Sequence, residues 1–147
     1  MAPRKSKHYE QAMREARRPR PRYPTVVALL YEAMLAGDER ATYALATWYL
    51  AGKVLPKDKP KAFDLLNRAA RTVPDAMYDL AVCYEEGVGT RRNTSKAFKF
   101  YEKAARRGEP QSAYEVGRCL YWGIGTKQDR GRAEVYFRVA AKRGITS

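Results

Sequence analysis

The residue types that carry chemistry are few in this 147-residue chain, and they are poorly placed for it. The one histidine, His8, lies near the N-terminus, so the body holds none to activate a serine or either cysteine, Cys83 or Cys119. No His/Cys/Asp/Glu grouping has metal-ligand spacing. Gly87-Val88-Gly89 and Gly123-Ile124-Gly125 resemble phosphate loops superficially. They follow helical patterns, however, and lack the further glycine or lysine that would cradle a phosphate. The chain therefore reads as a non-enzyme with no cofactor and no metal. Recognition chemistry is better represented. Glu115, Arg118 and Trp122 recur at helical spacing and share a face, with Asp79, Val82 and Glu86 at matching places one period earlier. Trp and Arg are over-represented among residues that dominate binding energy.

The elements that position these residues form an internal repeat. Asp75–Gly108 shifted by 36 places Tyr78 on Tyr114, Cys83 on Cys119, Gly87 on Gly123, Gly89 on Gly125, Ala97 on Ala133 and Gly108 on Gly144. A shift of 35 the other way finds a looser copy, in which Tyr43, Leu45, Ala46, Tyr49, Gly52, Ala62 and Phe63 match Tyr78, Leu80, Ala81, Tyr84, Gly87, Ala97 and Phe98. Such a period marks a stacked repeat protein. Within one period, Met77, Leu80, Ala81 and Tyr84 have the i, i+3, i+4, i+7 spacing of an amphipathic helix. Gly87 and Gly89 stop it. Asn93, like Asp58 and Asp129 at equivalent places, can cap the next helix. That helix runs to about Arg107 on Ala97, Phe98, Phe100, Tyr101, Ala104 and Ala105. One hairpin of this kind cannot bury its own apolar face, but neighbours can.

Leu80-Ala81, Tyr84, Gly87-Val88-Gly89, Lys96-Ala97, Phe100-Tyr101, Lys103-Ala104-Ala105 and Gly108 resemble the Sel1-like repeat, a relative of the tetratricopeptide repeat. Val116-Gly117, Gly123-Ile124-Gly125, Asp129, Arg132-Ala133, Tyr136-Phe137, Ala140-Ala141 and Gly144 carry the pattern again. Ala41–Val73 carries it more weakly, with Val54 and Leu55 where a glycine and its neighbour are expected and Pro56 altering the loop. The resemblance implies an all-α superhelical solenoid of helix-turn-helix repeats, at about residues 40–73, 75–108 and 111–144, that mediates protein–protein contact without catalysis. It also implies that the front helix of each repeat lines a concave groove. The groove columns are then Ala44, Thr47 and Ala51; Asp79, Val82 and Glu86; and Glu115, Arg118 and Trp122. Trp122 either meets a ligand or packs on Tyr121 and the last loop, while Trp48 falls in the column of Cys83 and Cys119 and reads as core. Some secreted relatives staple each repeat with a disulfide. Here each of the last two repeats has one cysteine, so reduced buried thiols are expected, which suits the cytoplasm, or the nucleus in a eukaryotic cell.

Charge sets a second theme. Lys and Arg total 29 against 16 Asp and Glu, a formal +13, which favours acidic partners. Residues 1–24 hold eight basic and two acidic residues and read as a basic extension before the repeat domain of 25–147. Within it, residues 6–18 can form a short basic helix, and Arg17–Pro24 carries three prolines that oppose one. The segment is a disordered tail or degenerate cap, a nucleic-acid or acidic-partner arm through Arg17, Arg18, Arg20 and Arg22, or a targeting signal. Thr25–Ala36 reads as a packing helix for the array, the alternative being an exposed docking helix. Lys96, Lys99, Lys103, Arg106, Arg107, Arg91 and Arg92 make the back helix and loop basic, either as a solvated face or as a surface for phosphates. No apolar run is long enough to span a membrane, and no apolar signal core appears at the N-terminus.

Two functions follow: an adaptor holding a partner protein in the groove, or a nucleic-acid-associated scaffold using the tail and basic back. The last back helix, with Val135, Tyr136, Val139 and Ala140, leaves open a further question. Either Glu134, Arg138 and Lys142 close it with polar groups, or the face meets another chain, self-association included.

Overall fold

A computed structural model describes residues 4–145, and among these the chain forms eight α-helices and no strand. They are α1 (Lys7–Ala16), α2 (Tyr23–Leu35), α3 (Glu39–Ala51), α4 (Lys59–Ala69), α5 (Pro74–Glu86), α6 (Thr94–Arg106), α7 (Ser112–Trp122) and α8 (Arg130–Lys142). The chain divides into two units, Met1–Val73 and Pro74–Ser147. In the first, α1 packs on α2, α2 on α3 and α3 on α4; in the second, α5 to α8 follow the same succession.

The second unit shows why the repeat folds as it does. Its core is Ala81, Ala97, Phe98, Tyr101, Ala105, Ala113, Val116, Cys119, Leu120, Ala133 and Ala140. Alanines at fixed places let helices approach closely, and the two large rings of α6 fill the space beside them. Helix starts are set by the side chains expected to set them. Asp58, Asn93 and Asp129 each accept from the amide three residues on, at 3.1, 3.0 and 3.0 Å. Gly123 ends α7 in the left-handed conformation. Two residues later Gly125 adopts φ +69°, and a Cβ there would lie 2.0 Å from the Thr94 carbonyl oxygen. The loop of one hairpin thus rests directly on the first turn of the preceding back helix. Gly117 serves a similar purpose inside the hairpin, since a Cβ on it would meet the Phe137 ring at 2.8 Å.

The start of α7 holds a device that the sequence pattern does not announce. Gln111 makes no side-chain cap. Instead the buried Glu109 carboxylate accepts from the Gln111 and Ser112 amides at 3.2 and 2.7 Å, and also from the Ser112 hydroxyl.

The first unit opens with the short helix expected within residues 6–18. Residues 1–24 were set apart as a basic extension. Met1–Pro3 lie outside the described residues, but Lys7–Ala16 is a helix whose Ala12 is fully buried against α2. Together α1 and α2 make a hairpin ahead of the three repeats. Two carboxylates hold it. Glu15, 8% exposed, accepts from the Arg22 amide and Nε at 3.1 and 3.2 Å and pairs with Arg18 at 3.2 Å. Asp38, fully buried, accepts from the Ser6 amide at 2.8 Å and from Arg40 Nη2 at 2.7 Å while capping α3. The Arg22 side chain, its amide and the Arg18 charge hold the Glu15 carboxyl below its ordinary value against a smaller opposing effect of burial. Burial alone would raise Asp38, but Arg40 and the Ser6 amide outweigh it and hold that carboxyl low too.

Two measurements check these contacts. Gly125→Ala should lower the urea midpoint more than Gly144→Ala. At Gly144 nothing lies within 4 Å of an added Cβ, so only the left-handed penalty of ~1–2 kcal/mol applies. A carboxyl that ionises more readily folded than unfolded stabilises the fold only while ionised. The contribution of Glu15 and Asp38 is therefore complete above their ordinary values of 4.5 and 3.8 and fades as pH falls below them. Protection of the α1 amides against hydrogen exchange, taken relative to the intrinsic rate at each pH, should fall across that window, and Glu15→Gln with Asp38→Asn should flatten the response.

Candidate functional site

The front helices of the second unit, α5 and α7, carry six of the seven residues expected to bind a partner. The seventh, Thr47, lies on α3 of the first unit, where its hydroxyl donates to the Ala44 carbonyl oxygen at 2.7 Å. The six divide into those that reach solvent and those that hold the helices together.

Arg118 belongs to the second group. Its Nη2 donates to both Glu85 oxygens at 2.8 and 2.9 Å, and its Nε donates to Glu115 at 2.7 Å. Tyr101 donates its hydroxyl to the same Glu85 at 2.8 Å, from within the core. One guanidinium therefore joins α7 to α5, and a buried tyrosine joins that pair to α6. Burial disfavours the Arg118 charge, yet the bonds to Glu85 and Glu115 outweigh it and keep the guanidinium protonated. Tyr78, beside Tyr101 at 5.8 Å between rings, is pushed up to about 12 by burial and by Glu115, Glu109 and Asp79. Arg118 and Glu115 are thus engaged with each other and with Glu85, a residue that sequence reasoning did not single out. The available signal was chemical: a carboxylate where the other repeats have Leu50 and Tyr121, one repeat away from an arginine in a column otherwise filled by Thr47 and Val82.

Trp122 belongs to the first group. It is 65% exposed and leans edge-on against Tyr121, with centroids 4.9 Å apart. Arg130 lies over the other ring, 4.6 Å from the Tyr121 centroid, and Gln128 donates to the Tyr121 carbonyl oxygen at 2.9 Å. The indole therefore packs on Tyr121 and still leaves most of its surface to solvent. Tyr121, whose ring backs the indole, is the packing partner that the sequence reading named for it. Glu86 is exposed, Asp79 is half-buried, and Val82 is half-buried against the core.

The basic candidates are scattered. Arg18 and Arg22 pair with Glu15, while Arg17 and Arg20 are exposed. Arg92 donates to the Glu85 carbonyl oxygen at 3.0 Å, and Arg91 is exposed. On α6, Lys99, Lys103 and Arg106 line a shallow cleft of about 340 Å³ with Phe100 and Glu102. Lys103 lies 5.9 Å from the Phe100 centroid, and Phe100 stacks on Tyr84. Arg107 is exposed. Trp48 is half-buried against Tyr23. His8 pairs with Glu32 at 3.2 Å. Cys83 and Cys119 are free and buried, and burial pushes their thiols up to about 11 and about 12, so neither is a thiolate at neutral pH. Among the described residues no three His, Cys, Asp or Glu side chains come together as metal ligands, and no helix is long and apolar enough to cross a membrane.

The two groups should separate on substitution. Arg118→Ala leaves Glu85 partly buried without its main counter-ion and should cost about 2 kcal/mol in urea unfolding. Trp122→Ala should cost less than about 0.5 kcal/mol, as surface changes do.

Comparison with known proteins agrees with this architecture. The Sel1 repeat family matches at residues 40–71, 74–109 and 110–145. The chitin synthase regulator SKT5 of Saccharomyces cerevisiae is 43% identical over 77 residues, covering 50% of this chain and 11% of that protein. Among solved structures, c5321, a protective antigen of uropathogenic Escherichia coli displaying an SLR fold, superposes with a TM-score of 0.88 at 24% identity, over 93% of this chain and 30% of that one. A Sel1 repeat protein from Oxalobacter formigenes superposes with a TM-score of 0.87 at 25% identity, over 95% of this chain and 41% of that one. This chain spans well under half the length of each of these relatives. Sel1 repeats are generally scaffolds for protein–protein contact and typically not enzymes, and with three matches across residues 40–145 and the hairpins just described, the chain belongs to the Sel1 repeat family.

Proposed function

We propose that the chain is a non-enzymatic adaptor that holds a segment of a partner protein on the front-helix face of its second unit. The observation that carries this reading is Trp122. A tryptophan left 65% exposed at the end of a front helix, and propped from behind by Tyr121, is a rigid apolar surface with little entropy to lose on binding. Glu86 and Asp79 occupy the matching face of α5, Glu86 at the place Trp122 takes on α7. Arg118 and Glu115 act one step behind, by holding α7 against α5 so that the indole is presented in one place. A partner segment with an apolar side chain for Trp122 and a basic group for Glu86 fits this chemistry.

A nucleic-acid role would rest instead on the arginines of residues 17–22 and the basic side chains of α6. Salt separates the two, because phosphate-driven binding weakens steeply and linearly in log salt while contact with an indole does not. The test takes the partner recovered from the native cell and measures its affinity. Trp122→Ala should weaken it about 10- to 100-fold, the range of an interface anchor, and leave the unfolding midpoint unchanged. Reversing Arg17, Arg20, Lys99 and Lys103 should change it little. If the charge reversals abolish binding and Trp122→Ala has no effect, the adaptor reading fails.

A further inference from the structure

Helices α6 and α8 occupy the same place in successive hairpins, and a shift of 36 maps one onto the other. On α6, Phe98, Tyr101 and Ala105 are buried at 8, 1 and 6% exposure, in the core shared with α7. The equivalent residues of α8 are Glu134, Phe137 and Ala141. With Arg138 they line an open cleft of about 370 Å³, and Val135 beside it is 56% exposed. Phe137 packs on Tyr114 of its own hairpin, but among the described residues no further helix covers this side of α8 as α7 covers that of α6, and its chemistry has changed. An aromatic ring has become Glu134, which pairs with Arg138 one turn on at 3.4 Å, both side chains being at least 70% exposed.

We infer that this face of α8 pairs with the same face of α8 in a second copy of the chain, the helices running antiparallel about a twofold axis near Tyr136. The charge pattern is what selects a second copy. An acid and a base four residues apart on one face read the same from either end. A twofold axis between them sets Glu134 against the copy's Arg138 and Arg138 against the copy's Glu134. The same register brings Gly131 onto Ala141 of the copy, two small residues that let the helices close, with Val135 beside its own counterpart on one flank. An isologous contact needs this self-complementarity, each residue meeting the partner that meets it in return. Opposed basic residues, Arg130 and Lys142, fall at the two ends of the contact, where solvent screens them. The inference is independent of the front-face reading, which concerns α5 and α7.

Sedimentation equilibrium of the whole chain tests it. The expected result is a concentration-dependent rise from the monomer mass of 16.8 kDa to twice that value by about 200 µM. Glu134→Arg and Arg138→Glu should each weaken the dimer at least about tenfold, because each sets like charges opposite one another twice. The double exchange E134R/R138E should restore it to within about threefold, and Val135→Asp should weaken it. All three substituted side chains are exposed, so circular dichroism of the four variants should show an unchanged fold. A chain that stays monomeric at about 200 µM overturns the inference. So does a dimer that ignores the single substitutions, or a double exchange that fails to restore association; either would assign the α8 face to another occupant.

Discussion

Phe98, Tyr101 and Ala105 lie in a core that α6 shares with α7 of the next hairpin, and Tyr101 also meets Tyr78 and Glu85 of α5. Every other feature of the second unit serves that contact. Alanines at positions 97, 113 and 133 keep the helices close, Gly117 admits the Phe137 ring, and Gly125 lets the loop after α7 touch the first turn of α6. A hairpin taken alone would lose the α7 side of this core, so stability here belongs to pairs of repeats rather than to repeats.

The same constraint explains why charge is used so differently on the two sides of α7. Arg118 and Glu115 look like recognition residues by type and by spacing, yet they are absorbed in keeping α5 and α7 together through Glu85 and Tyr101. Trp122, one turn further on, is past the last covered position and has no such duty. The α5–α7 face therefore combines a fixed electrostatic joint with an apolar surface at its edge. A partner meets the second because the first holds still.

Most of the hairpin order was legible in the sequence because the residues responsible act locally. Asp58, Asn93 and Asp129 cap helices that begin within three residues of them, and the paired glycines after α5 and α7 end helices by their own backbone preference. What was not legible depends on partners far along the chain. Glu85 is one of two adjacent glutamates at the end of α5, and only the fold shows that this one, and not Glu86, meets Arg118 from 33 residues away. The helix before residue 25 was legible, but the composition of that segment, eight basic residues and four prolines, left open whether it packs. Its packing is decided by two acids, Glu15 and the distant Asp38, which convert arginines from a repelling cluster into the outer layer of a helix hairpin. Composition counts charges; it does not count which of them are already satisfied.

The buried cysteines have a consequence of their own. Cys83 and Cys119 occupy the same place in consecutive hairpins, each shielded and each protonated at neutral pH. An alkylating reagent can reach either sulfur only during a transient opening of the hairpin around it. The two thiols are therefore built-in clocks, chemically alike and differing only in the wall that covers them. The ratio of their modification rates would read out how unevenly breathing is distributed between neighbouring hairpins, with no label introduced.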